Sequence, residues 1–384
     1  MKNNRTFLEK LLDGAEVEWK PLKDILIRTK GTKITAAEMK VLHKDNAPLK
    51  IFAGGKTFAL VNFEDIPEKD INKNPSIIVK SRGIIEFEYY DKPFSHKNEM
   101  WSYYSNDKNI NIKYIYYVLK NQEPYFQNLG SKMQMPQIAT PDTDKYLVPI
   151  PPLSVQTEIV KILDALTALT SELTSELILR QKQYEYYREK LLNIDEMNKV
   201  IELGDVGPVR MCKRILKNQT ASSGDIPFYK IGTFGKKPDA YISNELFQEY
   251  KQKYSYPKKG DILISASGTI GRTVIFDGEN SYFQDSNIVW IDNDETLVLN
   301  KYLYHFYKIA KWGIAEGGTI QRLYNDNLKK VKISIPPLKE QHRIVSILDK
   351  FETLTNSITE GLPLAIEQSQ KRYEYYRKLL LNFS

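Results

Sequence analysis

Most of the stretch from Ile150 to Asn193 occurs twice in this 384-residue chain. The first copy begins with Ile-Pro-Pro-Leu at 150–153 and the second with the same four residues at 335–338, a shift of 185 positions. Both copies end in Tyr-Glu-Tyr-Tyr-Arg, at 184–188 and 373–377. Agreement of this kind indicates an internal duplication, so the chain is expected to fold as a repeated architecture.

Each copy has the pattern of one long helix. A Pro pair stands at its start, where the missing N–H costs little. Apolar residues then recur at heptad spacing, and about 40 residues correspond to a rod of roughly 60 Å. One such stripe cannot be buried alone, so the two helices are predicted to pack on each other, antiparallel. The predicted packing residues are Leu163, Leu166, Leu173, Leu177, Tyr184, Tyr187, Leu348, Phe351, Ile358, Tyr373, Tyr376 and Leu380.

Two irregularities interrupt the repeat. The first helix contains a tandem Thr-Ser-Glu-Leu at 170–173 and 174–177. Four extra residues add about 6 Å of helix, roughly one turn. In the second helix, two successive steps of four meet at Leu362, with Gly361 and Pro363 on either side. Such a stutter between a Gly and a Pro predicts a kink or a break.

Composition limits the class of protein. The net charge of +7 is a mild basic bias that favours a polyanionic partner. A single cysteine, Cys212, excludes a disulfide framework, and four scattered histidines disfavour a metal site. Neither a membrane-spanning apolar run nor a signal-peptide core is evident, so a cytoplasmic setting without membrane contact is expected.

The repeat extends outside the helices. Short β-like runs broken by turn residues fill 17–149, and 198–334 repeats them with weaker identity. The predicted fold is α+β: two mixed α/β globular domains separated by two long antiparallel, coiled-coil-like helices, with a pseudo-twofold internal repeat. The predicted segments are a helix tail at 1–16, a first globule at 17–149, a central helix at 150–197, a second globule at 198–334 and a C-terminal helix at 335–384.

Three pairs of loops occupy comparable places in the two globules. Their apolar anchors agree, whereas the polar residues beside them differ, as expected of two related readers of different targets. Hydroxyl, amide and guanidinium groups on such loops suit DNA phosphates and base edges. The candidates in the first globule are Lys80, Ser81, Arg82, Ser95, His96, Lys97, Asn98, Ser131, Lys132 and Gln134. Those in the second are Ser265, Ser267, Thr269, Arg272, Gln284, Asp285, Asn287, Thr319, Gln321 and Arg322.

Other interpretations compete with this one. The run 265–272 lacks the Gly-Lys-Ser/Thr ending of a nucleotide-binding loop, and a plain β-turn explains it about as well as a DNA contact does. Ile-Pro-Pro-Leu lacks the amide or carboxylate and the aromatic residue of an amino-methyltransferase loop. Pro238-Asp239 with Glu249-Tyr250-Lys251 fits a loose nuclease pattern that often arises by chance. The residues therefore predict neither a catalytic group, nor a metal, nor a cofactor.

The duplicated layout resembles the specificity subunit of type I restriction–modification enzymes. The resemblance rests on the Ile-Pro-Pro-Leu helix starts followed by Gln156 and Gln341, the tandem Thr-Ser-Glu-Leu, the Tyr-Glu-Tyr-Tyr-Arg ends and Gly-Asp-Ile-Leu-Ile-Ser at 260–265. It covers nearly the whole chain. It implies two target recognition domains that each read one half of a split site in double-stranded DNA.

The resemblance also implies partners. The long helices would set the spacing and dock two methyltransferase subunits, through which restriction subunits join, while the specificity subunit itself has no catalytic residues. The alternative from another class is a coiled-coil scaffold or dimerisation protein that binds protein rather than DNA. DNA binding that weakens steeply with salt would distinguish the two.

Overall fold

The computed structural model describes residues 7–131, 135–193, 198–313 and 321–383. The chain forms two compact units. Unit 1 consists of Met1–Leu173 and Ile366–Ser384, and unit 2 consists of Thr174–Ala365. The division falls between the two Thr-Ser-Glu-Leu tetrapeptides, inside one helix that contributes a half to each unit.

Unit 1 is a mixed α/β unit with small sheets. Its elements up to the central helix are α1 (Phe7–Leu12), β1 (Glu18–Pro21), α2 (Leu22–Ile25), β2 (Ile27–Lys30), α3 (Ala36–Leu42), β3 (Leu49–Phe52), β4 (Phe58–Val61), β5 (Ser76–Lys80), β6 (Glu86–Tyr90), β7 (Phe94–His96), β8 (Trp101–Tyr104), α4 (Ile112–Asn121), α5 (Glu123–Gly130), α6 (Thr140–Asp144) and β9 (Leu147–Ile150). The central helix α7 spans Leu153–Leu192.

Unit 2 has the same kinds of elements. They are β10 (Lys199–Glu202), β11 (Val209–Arg210), β12 (Ile226–Tyr229), β13 (Tyr241–Ile242), α8 (Asn244–Lys253), β14 (Ile262–Ser265), β15 (Thr273–Ile275), β16 (Tyr282–Phe283), β17 (Ile288–Ile291), α9 (Asn300–Tyr307), α10 (Asn325–Lys329), β18 (Lys332–Ile335) and α11 (Leu338–Asn356). Helix α12 (Leu362–Leu380) follows, and from Ile366 onwards it belongs to unit 1.

The sheets of the two units share one topology. Unit 1 has an antiparallel sheet in the order β2-β8-β5-β6, a second sheet β4-β3-β7 and a ribbon β1-β9. Unit 2 has the corresponding sheets β11-β17-β14-β15 and β13-β12-β16 and the ribbon β10-β18. The pairs β3–β7 and β12–β16 are both parallel. The internal repeat predicted from the helices therefore extends through both globules.

The Ile-Pro-Pro-Leu motifs are the starts of long helices, as predicted. Helix α7 begins at Leu153 and α11 at Leu338, each directly after the Pro pair, which cannot donate to a preceding carbonyl. In each motif the following Gln is fully buried. Its side chain bonds back to the motif, because Gln156 Nε2 donates to the Pro151 carbonyl at 2.8 Å and Gln341 Nε2 donates to that of Pro336 at 2.9 Å.

The C-terminal repeat is broken where the stutter predicted a kink or a break. Helix α11 ends at Asn356 and α12 begins at Leu362. Gly361 has φ +85°, and a Cβ there would lie 2.6 Å from the Thr353 carbonyl oxygen. The prediction that Ile358 packs in the helix seam is wrong, because Ile358 lies in the connection between the helices and is 77% exposed.

Each half of α7 packs within its own unit. In unit 1, Leu163 is fully buried in a core that includes Leu380 of α12, with Tyr373 and Tyr376 against it. Thr170 Oγ1 lies 2.8 Å from Ser369 Oγ. Later residues of α7 thus meet earlier residues of α12, so these two helices run antiparallel.

In unit 2, the Phe351 ring of α11 stacks on two tyrosine rings of α7. Its centroid lies 6.2 Å from that of Tyr184 and 5.7 Å from that of Tyr187. Tyr184 and Leu348 are buried in the unit 2 core. The remaining predicted seam residues, Leu166, Leu173 and Leu177, are half-buried.

Candidate nucleic-acid interface

Three loops of unit 2 meet at the end of β14. Ser267 forms an antiparallel bridge with Arg322, and the Leu323 N–H donates to the Ala266 carbonyl at 2.8 Å. Asn287 joins the third loop to them, because its side-chain Oδ1 accepts from Ser267 Oγ at 2.7 Å. The loops around 265–272, 284–287 and 321–322, predicted separately, thus form one surface.

The same arrangement occurs at the end of β5 in unit 1. Arg82 bridges Gln137, and the Ile138 N–H donates to the Ser81 carbonyl at 3.0 Å. Ser81 Oγ reaches the third loop by donating to the Glu99 carbonyl at 2.8 Å. The backbone contacts in the two units are related by the 185-residue shift of the helices. We call these two surfaces tip 1 and tip 2.

Lys80 and Ser81 lie beneath tip 1 rather than on it. The side chain of Lys80 is buried between Glu86 and Glu88, with ammonium–carboxylate distances of 2.6 and 2.8 Å. Burial opposes its charge, but the hydrogen bonds and charges of the two carboxylates raise the pKa of Lys80 above its usual value. Neither residue is free to contact DNA, and we remove both from the predicted interface.

Ser95 and His96 are also structural. Ser95 Oγ donates to the Asp70 carbonyl at 2.7 Å, and His96 is fully buried. Burial lowers the pKa of His96, which keeps the ring neutral. Gly31 packs so closely against His96 that a Cβ at position 31 would overlap it. The prediction of a DNA contact is therefore wrong for these two side chains.

The exposed candidates of tip 1 are Arg82, Asn98 and Ser131. Lys97 is partly exposed, and its ammonium group lies 2.7 Å from a carboxylate oxygen of Glu99. Lys132 and Gln134 lie outside the described residues. Among the described residues of tip 1, Arg82 is thus an exposed cation that could contact bases.

The first loop of tip 2 is shaped by its own serine. Ser265 is buried, and its hydroxyl accepts from the Arg272 N–H at 2.9 Å while donating to the Thr269 carbonyl. Gly271 has φ +81°, and a Cβ there would overlap the indole of Trp312. Ser265 and Ser267 are both buried and hold the loop in place. Their burial contradicts the prediction that these two side chains contact DNA.

Two further candidates of tip 2 act on neighbouring loops. Arg272 Nη1 donates to the Phe234 carbonyl at 3.0 Å, and Gln284 Oε1 accepts from the Ile231 N–H at 2.9 Å. Both are half-buried, as are Asp285 and Asn287. The exposed candidates are Thr269, Gln321 and Arg322. Thr319 lies outside the described residues.

Tip 1 also presents two apolar side chains that the sequence did not single out. Ile84 is 68% exposed and Met135 is 63% exposed. Each lies two residues from the bridge between Arg82 and Gln137. An apolar side chain in a major groove contacts the methyl group of thymine. Only their exposure marks these residues, and exposure is not visible in a sequence.

The candidate metal ligands in the described residues are engaged with cations. His305, Asp349 and Glu352 bring potential ligand atoms within 4.8 Å of one another. However, the Lys308 ammonium lies 2.5 Å from Glu352, and that of Lys301 lies 3.3 Å from Asp349. The cluster is a network of ion pairs and hydrogen bonds that joins α9 to α11.

Comparison with known proteins identifies the family to which this architecture belongs. The model of the type I restriction modification DNA specificity domain matches twice, at residues 15–180 and 195–368. The chain belongs to this family. A Haemophilus influenzae protein, provisionally named a type I restriction enzyme specificity subunit, is 69% identical over the full length of both chains. The specificity subunit of an Escherichia coli type I restriction enzyme is 34% identical, over 98% of this chain and 97% of its own.

Solved structures agree with the specificity-domain fold. The type I restriction–modification S subunit from M. genitalium matches with a TM-score of 0.59 and 15% identity, over 97% of this chain and 98% of its own. A chain from a study of complex assembly and conformational transition of a type I system matches with a TM-score of 0.54 and 14% identity. It covers 96% of this chain and 98% of its own.

The nuclease pattern has no structural support in this specificity-domain chain. Glu249 and Lys251 lie on helix α8 rather than on a strand, and Glu249 pairs with Lys253 at 3.0 Å on the same helix. Asp239 pairs with Lys230 at 2.8 Å. Separately, none of the helices in the described part of the chain has the length and apolar character needed to cross a membrane.

Proposed function

We propose that this chain is the DNA sequence-specificity subunit of a type I restriction–modification system, with each globular domain reading one half of a bipartite site. The observation that carries this proposal is the pair of tips. In each tip, equivalent backbone contacts join two of the three loops and a serine hydroxyl reaches the third, whereas the exposed side chains differ. A conserved frame with different exposed groups suits two readers of two different half-sites.

The chemistry of the exposed groups fits base recognition. Arg82 at tip 1 and Arg322 at tip 2 stand on backbone that is held by cross-loop bridges, and Asn98 and Gln321 are exposed on the same tips. Arginine makes bidentate contacts with guanine, and Asn and Gln make them with adenine, in the major groove. The domains are proposed to be 17–149 and 198–334, with the long helices at 150–197 and 335–384.

The decisive experiment changes one tip at a time. Arg322→Ala should relax the preference at one base of one half-site by about 1–3 kcal/mol and leave the other half-site unchanged. Arg82→Ala should relax the preference in the half-site read by unit 1 and leave the half-site read by unit 2 unchanged. Methylation-site mapping of the assembled enzyme measures both, with Arg343→Ala on α11 as a control that changes an arginine outside the tips. If either tip variant alters both half-sites, the two domains do not read independently.

The spacing between the half-sites is proposed to depend on α7. This helix continues without interruption from Leu153 to Leu192, through both tetrapeptides. Deleting one Thr-Ser-Glu-Leu removes about 6 Å of helix, which corresponds to one or two base pairs at 3.4 Å each. Methylation mapping of the deletion should therefore show a non-specific spacer shortened by one or two base pairs. An unchanged spacer would rule out this role for the helix.

The partners are proposed to be two methyltransferase subunits, with restriction subunits joining through them. Three apolar side chains of helix α7 are exposed, namely Leu169, Ile178 and Leu179, and a partner subunit could cover them. Native mass spectrometry of the co-expressed subunits should give two methyltransferase subunits for each copy of this chain.

The proposed compartment is the cytoplasm. A scaffold protein without DNA affinity would instead give no gel shift with its partners present at any salt concentration.

A further inference from the structure

Unit 2 contains a large basic groove away from tip 2. Its volume is about 1160 Å³, and its walls are the end of α7, the residues at and after the end of α9, and the segment from α10 to the start of β18. Six basic residues line it, whereas Glu189 is the one acidic residue among the lining residues described. The basic residues are Arg188, Lys190, Lys308, Lys311, Lys330 and Lys332.

Most of this positive charge is available to a ligand. Lys308 is half-buried and pairs with Glu352 at 2.5 Å; burial lowers its pKa, and its charge is largely compensated. Lys190, Lys311, Lys330 and Lys332 are exposed, and no described carboxylate forms an ion pair with them. Four uncompensated ammonium groups around one concave surface repel each other, and an anion in the groove would relieve this repulsion.

Unit 1 carries part of this charge at the equivalent positions, but not all of it. The positions equivalent to Lys311 and Lys332 are Glu123 and Leu147, at shifts of 188 and 185 residues. In unit 1 the neighbourhood is aromatic, and the Tyr146 ring lies 4.9 Å from that of Phe126. Arg188, Lys308 and Lys330 correspond to Arg377, Lys120 and Lys145 in unit 1, so three of the six basic positions are basic in both copies. The charge of Lys311 and Lys332 is specific to unit 2.

The groove adjoins tip 2 through two short connections. Trp312, which packs on Gly271 of tip 2, immediately precedes Gly313 in the groove wall. Arg322 of tip 2 is five residues before Asn327 in the opposite wall, so their Cα atoms are at most about 18 Å apart. At 3.4 Å per base pair this is about five base pairs of duplex, close enough for one bound DNA molecule to contact both.

We propose that this groove binds the sugar–phosphate backbone of the DNA beside the half-site read by unit 2, whatever its sequence. The inference rests on the proposed function, since it takes tip 2 as the base-reading surface. Lysines are point charges that bind phosphates without base preference, so the groove contributes affinity and orientation but no specificity.

The test is a triple substitution, Lys311→Gln, Lys330→Gln and Lys332→Gln, in the full chain assembled with its methyltransferase partners. Binding to a target duplex and to a scrambled duplex is measured between 50 and 200 mM salt. Each lost phosphate contact lowers the log–log salt slope by about 0.9. The loss of affinity over this salt range should thus become about 40-fold smaller, with the ratio of target to scrambled binding unchanged.

A matched triple, Lys182→Gln, Lys339→Gln and Lys350→Gln, removes the same charge from exposed helix positions of unit 2 outside the groove. The proposal requires a clearly larger change in slope for the groove variant. An equal slope in both variants overturns it, as does a groove variant that weakens only target binding. Loss of methyltransferase assembly with DNA binding intact would instead assign the groove to an acidic protein partner. If the unmodified complex does not prefer its target, the proposed function fails, independently of the slope comparison.

Discussion

The two units keep the same buried contacts and differ at their surfaces. Tyr114 of α4 donates its hydroxyl to the Pro149 carbonyl at 2.9 Å, and Tyr302 of α9 donates to that of Ser334 at 3.0 Å. Gln156 and Gln341 make three equivalent hydrogen bonds to backbone. The contacts that join each globule to its long helix are thus retained, whereas the exposed groups of the two tips differ.

One buried position breaks this rule. In unit 1 the Tyr117 hydroxyl donates to Asp164 Oδ1 at 2.5 Å, and in unit 2 the equivalent bond joins His305 Nε2 to Asp349 Oδ1 at 2.8 Å. The acid is the same, but its partner is a phenol in one unit and a titratable imidazole in the other. The same joint therefore depends on pH in different ways in the two units.

The largest expected effect comes from the shared glutamines. Gln156→Ala should leave the N–H of Asn111 and the carbonyls of Asn109 and Pro151 unpaired, since it removes the side chain that bonds all three. At about 1–3 kcal/mol for each buried group, the loss is about 4 kcal/mol. Gln341→Ala should cost unit 2 a similar amount. Hydrogen exchange should show each variant destabilising its own unit; unequal losses would mean that the two joints are not equivalent.

The next effect should distinguish the two halves of the helical packing. Phe351→Ala removes the ring that stacks on Tyr184 and Tyr187, and for a half-buried ring we expect a loss of about 2 kcal/mol. Leu166→Ala, at the position 185 residues earlier, should cost about half as much because no aromatic stack is lost. Urea denaturation of the two variants measures the difference, and a larger loss for the leucine variant would contradict it.

The tyrosine–histidine difference should appear in the pH dependence of unit 2. Burial lowers the pKa of His305, so between its folded value and about 6.5 the unfolded state binds the extra proton. Unit 2 should therefore become less stable through this group as the pH falls from 7.5 to 5.5, because the unfolded state binds a proton that the folded state does not. Asp349, Glu352 and Lys308 face the ring and set how far its pKa moves.

Exchanging the two residues tests this account. His305→Tyr should remove the acid-sensitive part of unit 2 stability, and Tyr117→His should introduce it in unit 1. Hydrogen exchange at pH 7.5 and 5.5 resolves the two units. A histidine variant of unit 1 with no new acid sensitivity would show that burial in unit 1 does not lower the pKa.

The smallest effect concerns the lysines beside these acids. Lys113 lies 2.8 Å from Asp164 and Lys301 lies 3.3 Å from Asp349, and all four side chains are partly exposed. Partly exposed ion pairs contribute about 0.5 kcal/mol. Lys113→Ala and Lys301→Ala should therefore change thermal stability by no more than a few degrees, and a large loss in either would mean that the pair is shielded from solvent.

The sequence predicted those parts of the fold that repeat or follow a period. The helix starts, the break near Leu362 and the equivalence of the globules follow from residue spacing, which local backbone geometry obeys directly. Burial inside a short strand does not. Phe94, Ser95 and His96 are all buried in β7, because both faces of that strand are covered. In the sequence, the polar Ser95 and His96 indicate a surface loop, and nothing in their spacing reveals the burial. The groove lysines come from three separate segments, and only the tertiary fold brings them together.

Because α7 runs through both tetrapeptides without a break, any change in its length also changes the rotation along the helix. Four residues of an α-helix advance about 6 Å and turn through about 400°, a net twist of about 40° in the right-handed sense. Over the same advance a B-form duplex turns about 60° in the same sense. Removing a single residue would instead turn the helix by about 100° while the duplex turns by about 15°. Among insertions or deletions of one to five residues, four residues therefore give the smallest difference between the rotation of the helix and the rotation of a B-form duplex over the same length.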